Sequence, residues 1–184
     1  MKTSALTLAA ALALTSGCAA FKANDLPTLD SSSYAVQNQQ PVKVFSTWQA
    51  REGGNLHKTY FNAALRGAGC CEIVETAEQA DLVVTGVSVD ESNPGANLFA
   101  ALSGFTFGVI PAWATLHVHL RVTATESEQQ HKYDLADKAT MVIWLPMLLA
   151  MPFTGNPLDV EQEVHHNTYR NLVARMKNDG LLSN

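Results

Sequence analysis

The spacing of apolar positions changes along the chain, and each spacing predicts a different element. Strands are predicted at Val42–Trp48 and Asp81–Val89, where apolar residues alternate or, at Leu82 to Val84, occupy both faces of a buried strand. A short strand is predicted from Cys71 to Glu75. A helix between the first two strands is predicted by apolar residues that recur at helical spacing, namely Leu56, Tyr60, Phe61, Ala64 and Leu65.

Two alternating segments, Ala114–Thr125 and His131–Thr140, are separated by the polar residues Glu126 to Gln130 and predict a β-hairpin. A turn centred between Glu128 and Gln129 gathers the apolar residues on one face, which only Asp137 interrupts. In this register the facing pairs include Leu116 with Met141, His119 with Lys138, Trp113 with Trp144, and Pro111 with Pro146.

A C-terminal helix is predicted from Asn156, as the capping residue before Pro157, to about Asn178. Its apolar face comprises Leu158, His165, Tyr169, Leu172, Val173 and Met176. His165 is therefore expected to lie towards the core, while His166 points elsewhere.

Together these elements predict an α+β fold of two layers. We expect a mostly antiparallel sheet of about five strands, helices on one face, an apolar helical insertion, and a single domain over residues 42–184. The formal net charge is −5 and the cationic residues are scattered, so a nucleic acid is not an expected partner.

The N-terminus has the pattern of an export signal. Lys2 precedes an apolar run from Ala5 to Leu14, and the small residues Ser16 and Gly17 lead to Cys18. The polar segment that follows, up to Pro41, is predicted to be a flexible tether.

This N-terminus resembles the signal peptides of bacterial outer-membrane lipoproteins. The resemblance implies cleavage after residue 17 and acylation of Cys18, for example with palmitate, although Thr15 stands where such signals usually carry leucine. Because Ala19 is not aspartate, it also implies the outer membrane, with the domain facing the periplasm. Glu78 to Gly86 resembles the central strand of small periplasmic lipoprotein domains.

No Asp, Glu, Lys or Arg occurs between Glu91 and Arg121. A helix is predicted from Leu98 to Ile110, which Pro111 ends, and it is too short to span a bilayer. Small residues recur at every fourth position, namely Ala96, Ala100, Gly104, Gly108 and Ala112. The hairpin brings a second uncharged stretch, Met141–Phe153, to the same end of the sheet.

Three interpretations of this apolar region remain open: it closes the core of the domain, it dips into the membrane beside the lipid on Cys18, or it binds a partner or a second copy. The residues predicted to make such contacts are Leu98, Phe99, Gly104, Phe105, Gly108, Pro111, Trp113, Trp144, Pro146 and Leu148. The leading functional hypothesis is a non-catalytic envelope lipoprotein; a carrier of a small apolar ligand or lipid is the alternative.

An enzyme that uses a thiol or a metal is the least favoured hypothesis, because no nucleophile, phosphate or dinucleotide motif occurs. His117 and His119 share one face of a strand and are weak candidate metal ligands, but a neighbouring Arg121 disfavours a cation there. Cys70 and Cys71 are expected at a strand start, one inward and one outward; redox chemistry or an intermolecular bridge is the alternative. No cofactor is expected.

Overall fold

The computed structural model describes residues 18–22, 25–38, 40–50, 54–93, 95–106, 108–146 and 157–183. The strands in these ranges are β1 (Cys18–Lys22), β2 (Val42–Ala50), β3 (Cys71–Ile73), β4 (Leu82–Ser92), β5 (Ala112–Glu126) and β6 (Gln129–Ile143). The helices are α1 (Ser31–Tyr34), α2 (Gly54–Ala68), α3 (Ala96–Phe105) and α4 (Pro157–Asn178), with a 3-10 turn at Ala77–Gln79. No helix within these ranges is long and apolar enough to cross a membrane.

The strands form one mixed sheet in the order β1-β6-β5-β4-β2-β3, which confirms the α+β fold class. β2 pairs in parallel with both β3 and β4, and β1 pairs antiparallel with β6. The sheet has one strand more than expected because β1 lies in the segment predicted to be a tether. The parallel pairs arise where α2 and the 3-10 turn return the chain to the same end of the sheet.

The chain divides into two compact units, and β4, β5 and β6 contribute residues to both. The first unit contains residues 1–23, 91–116 and 138–162, and the second contains residues 24–90, 117–137 and 163–184. In the second unit, α2 and α4 pack on one face of the sheet. Its core includes Phe61 and Leu65 from α2, Tyr169 from α4, and Val84 and Leu120 from the strands.

Helix α2 begins at Gly54, and the face that it buries differs from the predicted face at its first turn. The sequence placed Leu56 on the buried stripe, but its side chain is 51% exposed, whereas His57 is buried. His57 continues the stripe of Tyr60, Phe61 and Ala64 at intervals of three and four residues, as a helix requires. At the first turn of α2, the buried position predicted for Leu56 is therefore taken by the polar residue His57.

The segment from Asp25 to Asn38 packs on the second unit and is not the predicted flexible tether. Leu26 and Tyr34 belong to the core cluster. The side chain of Asn171 donates a hydrogen bond of 2.9 Å to the carbonyl of Pro27, and Asn38 donates one of 2.6 Å to the carbonyl of Leu182. The segment is polar on average, but its few apolar residues include Leu26 and Tyr34, which are buried in the core.

Asp137, the one polar residue on the predicted apolar face of the hairpin, holds this segment in place. It is buried, and its carboxylate accepts hydrogen bonds from the backbone N–H of Asp25 (3.0 Å) and from the side-chain amide of Asn167 (3.3 Å). A buried carboxylate needs such donors, because burial without them is costly.

The hairpin forms, but its turn consists of Ser127 and Glu128, so its centre lies one residue earlier than predicted. Ser127 has a positive φ of 54°, as two-residue hairpin turns require. Each residue consequently faces a partner two positions earlier in β6. Thr115 and Thr140 lie across the ladder with hydroxyl oxygens 3.0 Å apart. The shift of two keeps the buried face unchanged.

The predicted pairings between individual residues of the hairpin are therefore wrong. A two-residue turn places Val142 across from Trp113 and Ala136 across from His119, where Trp144 and Lys138 were predicted. The sequence could not distinguish the two turns, because both conserve the alternation of apolar and polar positions.

Helix α3 ends at Phe105, earlier than the predicted end at Ile110. The hydroxyl of Thr106 donates to the carbonyl of Leu102 and accepts a hydrogen bond from the backbone of Ile110. Gly108 then adopts a left-handed conformation with φ of 77°, and its N–H bonds to the carbonyl of Ser103 at 2.7 Å. The threonine and the glycine together end the helix one turn before Pro111.

Cys70 and Cys71 form a disulfide with each other, with an S–S distance of 2.00 Å. The prediction of two separate side chains at a strand start, one inward and one outward, is therefore wrong. Cys70 is fully buried and immediately precedes β3, while Cys71 is half-buried. The carbonyl of Cys70 accepts a hydrogen bond from the backbone N–H of Val42, which joins this bend to the start of β2.

Candidate functional site

Large apolar side chains that remain exposed are concentrated in the first unit, around α3 and the loop that follows it. Eight of the eleven such side chains among the described residues lie here, and we call them the apolar surface. They are Leu98, Phe99, Leu102, Phe105, Val109, Ile110, Trp113 and Trp144. Phe105 is 87% exposed and Leu98 is 64% exposed. A contiguous cluster of exposed apolar side chains is typical of an interaction site, whereas single exposed apolar residues are common on any protein surface.

Three contacts hold the apolar surface together. The rings of Phe99 and Trp113 stack with centroids 5.6 Å apart and an interplanar angle of 17°. The N–H of Leu145 donates a hydrogen bond of 2.7 Å to the carbonyl of Gly108, which ties the loop after α3 to the end of β6. Ser103 of α3 is completely buried, and its hydroxyl donates a hydrogen bond of 3.5 Å to the carbonyl of Ile143. The exposed side chains therefore project from a fixed backbone.

The small residues predicted to form a stripe on α3 do not form one continuous face. Ala96 is buried, whereas Ala100 and Gly104 are exposed, and Gly108 lies beyond the helix. A Cβ at Gly104 would meet nothing within 4 Å. At Gly108 it would lie 3.2 Å from the backbone nitrogen of Leu145, in addition to the positive φ. Substitution is therefore tolerated at Gly104 and strained at Gly108.

The remaining predicted contact residues have mixed outcomes. Pro111 and Pro146 are exposed and flank the apolar surface, and Cys18 lies in β1. Leu148 and the rest of residues 147–156 lie outside the described residues, as do the signal segment and Asn156. The roles predicted for these residues in binding stay predictions.

Cys18 is paired with Ile143, and Ala19 with Val142, in the antiparallel ladder between β1 and β6. Trp144 follows Ile143 directly. Neighbouring strands lie about 5 Å apart, so the backbone of the predicted acylation site is close to the backbone that carries Trp144. The sequence analysis placed the lipid on a tether and did not anticipate this proximity.

A cavity of about 150 Å³ lies elsewhere in the first unit. It is lined by Ser92, Ala114, Leu116, Ala139, Thr140, Met141, Val160 and Glu161. A volume of about 150 Å³ accommodates a molecule the size of benzene, which is much smaller than a lipid. This cavity alone is too small to hold a lipid, and the lipid carrier considered above stays a prediction.

The second unit contains a separate polar group that we call the histidine cluster: His57, Tyr60, Asp90, His165 and Tyr169. Asp90 bridges two helices, because one carboxylate oxygen lies 3.0 Å from Nε2 of His165 and 3.8 Å from Nε2 of His57. Nδ1 of His57 lies 3.0 Å from the hydroxyl of Tyr169, and the ring of Tyr60 stacks on His165 with centroids 5.3 Å apart.

In this cluster, burial of each group and attraction by the opposite charge have opposing effects on its pKa. Burial lowers the pKa of His57 below its ordinary value, against the attraction of Asp90 and with a smaller repulsion from His165. Burial alone would raise the pKa of Asp90, but the hydrogen bond and charge of His165, helped by His57 and Ser88, lower it. At neutral pH the carboxylate is therefore ionised between two helices.

The sequence analysis placed His165 towards the core, which the structure confirms, but it missed His57 and Asp90. The spacing of His57 with Tyr60 and Ala64 was a usable signal for the first of these. Asp90 gave no signal, because its role depends on the packing of α2 and α4 against the end of β4.

His117 and His119 alternate along β5 with the buried residues Val118 and Leu120, so they face away from the helices. His117 is half-buried and His119 is exposed. Within the described part of the chain, no group of three or more His, Cys, Asp or Glu side chains is arranged to hold a metal ion.

No protein-family model and no curated protein matches this chain. Several solved structures share a distant likeness. A hypothetical protein from Chlamydia trachomatis is 11% identical, with 76% of this chain and 97% of that chain covered and a TM-score of 0.43. A PelC dodecamer from Paraburkholderia phytofirmans is also 11% identical, with 86% and 99% covered and a TM-score of 0.40.

A minor lipoprotein from Acinetobacter baumannii is 12% identical, with 77% of this chain and 95% of that chain covered and a TM-score of 0.34. These structures include a lipoprotein, but at TM-scores below 0.5 they carry no argument about what this chain does. The functional proposal therefore depends on the residues of the chain itself.

Proposed function

We propose that this protein is a lipid-anchored lipoprotein of the bacterial cell envelope, attached through Cys18 to the outer membrane, and that it acts by contact rather than by catalysis. The observation that carries the proposal is the apolar surface, which presents eight exposed apolar side chains. Seven of them lie between Glu91 and Arg121 and the eighth, Trp144, lies between Lys138 and Asp159, and neither stretch contains Asp, Glu, Lys or Arg. Such a surface is costly in water and is stabilised by an apolar partner or a bilayer.

The histidine cluster supports a structural rather than a catalytic role. Its groups hydrogen-bond to one another: Asp90 accepts from His165 and from Ser88, and His57 bonds to Tyr169. These contacts connect α2, β4 and α4, which is sufficient reason for a partly exposed, ionised carboxylate at this position.

The test of the anchor is metabolic labelling with palmitate, followed by fractionation of the cells. We expect label on the wild-type chain and none on Cys18→Ser expressed with its own signal. Ala19→Asp, which leaves Cys18 intact, is the control for sorting and should retain the label. A wild-type chain that is exported without incorporating label would overturn the proposal.

A carrier of a small molecule is the second candidate, and the cavity of about 150 Å³ is the observation that favours it. Native mass spectrometry of the purified chain tests it. A co-purified molecule of benzene size would support a carrier, and a mass equal to that of the chain alone would count against it.

A further inference from the structure

We infer that the apolar surface docks on the membrane leaflet that receives the acyl chains of Cys18, an inference that rests on the proposed lipid anchor. The surface would lie in the interfacial region of the leaflet, with α3 on the bilayer rather than across it. The occupant is thus a lipid surface, in preference to a protein partner.

The position of β1 is the first reason. Cys18 is hydrogen-bonded in register with Ile143, one residue before Trp144, at the end of β6. An acylated cysteine keeps its backbone within a few ångströms of the headgroup region, because the acyl chains begin at its own side chain and amino group. The end of β6 is therefore brought to the same depth.

The loop after α3 meets the same end of β6. Leu145 donates its N–H to the carbonyl of Gly108, and Val109 and Ile110 follow at 63% and 44% exposure. The predicted lipid attachment point, Trp144 and this apolar loop consequently lie on three backbone segments that are joined to one another at the end of β6. A surface that is carried to a bilayer by its own anchor has the bilayer as its nearest apolar phase.

The side chains themselves fit a lipid interface. Trp113 and Trp144 are 51% and 37% exposed, and tryptophan concentrates where headgroups meet hydrocarbon because its ring is apolar and its N–H is polar. Helix α3 has ten residues, which is half the length that spans a bilayer but is suited to lying in the interface. Protein interfaces usually have a rim with charged residues, and none occurs between Glu91 and Arg121.

The experiment uses the full chain with Cys18→Ser and a conventional cleavable signal, so that no acyl chain contributes. Its partition into vesicles of neutral phosphatidylcholine is measured by co-sedimentation. We expect binding, and we expect Phe105→Asp to weaken it at least about tenfold, since burial of one phenylalanine contributes that much. Phe105 is 87% exposed, so its replacement removes little packing.

Leu56→Asp is the matched control, because Leu56 is also a helical residue and is 51% exposed but belongs to the second unit. It should bind vesicles as the parent does. Absence of vesicle binding by the parent would overturn the inference, and so would an equal loss in both variants. A dimer that depends on Phe105 and does not bind vesicles would assign the surface to a second copy instead. Palmitate labelling of the wild type tests the anchor separately, so the two failures are distinguishable.

Discussion

Single residues in this protein decide which side chains are buried, and Gly86 is the clearest case. It pairs with Trp48 in the parallel ladder between β2 and β4. A Cβ at this position would lie 2.0 Å from Cζ3 of the Trp48 ring, which also packs on Phe61 and Tyr169. The glycine therefore makes room for a tryptophan that connects the sheet with both helices.

Gly86→Ala is accordingly expected to destabilise the fold by about 1–3 kcal/mol, because a methyl group must displace a packed ring. Urea unfolding followed by circular dichroism measures the loss. Gly104→Ala is the control, since nothing lies within 4 Å of a Cβ there, and it should be neutral or slightly stabilising. Equal stability of the two variants would contradict the role given to Gly86.

The lowered pKa of His57 predicts a dependence of stability on pH. Below its ordinary pKa of about 6.5, the unfolded chain binds a proton at His57 that the folded chain resists. The free energy of unfolding should therefore fall as the pH decreases from about 7 to about 5. His57→Gln should reduce this slope when unfolding is measured at each pH.

Tyr169→Phe is the control for this experiment, since it removes the hydroxyl partner but keeps the histidine. It should lower stability at every pH and retain most of the slope. An unchanged slope in His57→Gln would show that other groups dominate the pH dependence, such as His166, whose pKa is also lowered by burial.

The lowered pKa of Asp90 affects stability at lower pH, where stability is lost as the pH falls below about 4.

At the scale of elements, periodicity predicted β2, β4, the hairpin strands, α2 and α4, because each buries one face against the same core. It did not predict β1, whose five residues lie between the predicted export signal and the polar segment predicted to be a tether. Nor did it predict the exact register of the hairpin, which depends on whether Ser127 adopts a positive φ. The candidate site was recognised as an uncharged apolar stretch, but its exposure depends on packing that no local pattern encodes.

Asp137 connects the hairpin with the segment that begins at Asp25, a contact that the sequence did not predict. Asp137→Ala should loosen the start of the segment 25–38, since the N–H of Asp25 and the amide of Asn167 lose a buried acceptor, at a cost of about 1–3 kcal/mol. Limited proteolysis should then cut within this segment. Asp134→Ala, at an exposed carboxylate 4.0 Å from Arg121, should change the cleavage pattern little. Cleavage at the same rate in both variants would refute the role of Asp137.

At the scale of the whole molecule, the net charge is −5, but the stretch that contains α3, between Glu91 and Arg121, has no Asp, Glu, Lys or Arg. If that stretch contacts lipid through apolar side chains alone, binding should not depend on ionic strength. We expect the Cys18→Ser chain to bind neutral vesicles equally at about 0.1 M and about 1 M NaCl, measured by co-sedimentation. A loss of binding at the higher concentration would indicate that charges outside the apolar surface hold the protein on the vesicles.

The pairing of β1 with β6 also limits how far this protein can act. A flexible leash over residues 18–41 would give the domain a radius of action of about 25–30 Å above its point of attachment. Because Cys18 to Lys22 are paired with β6, the residues next to the proposed lipid belong to the sheet and would not act as a flexible tether. If Cys18 carries the proposed lipid, a binding partner would therefore have to come to the bilayer surface, because the domain would not reach into the space above it.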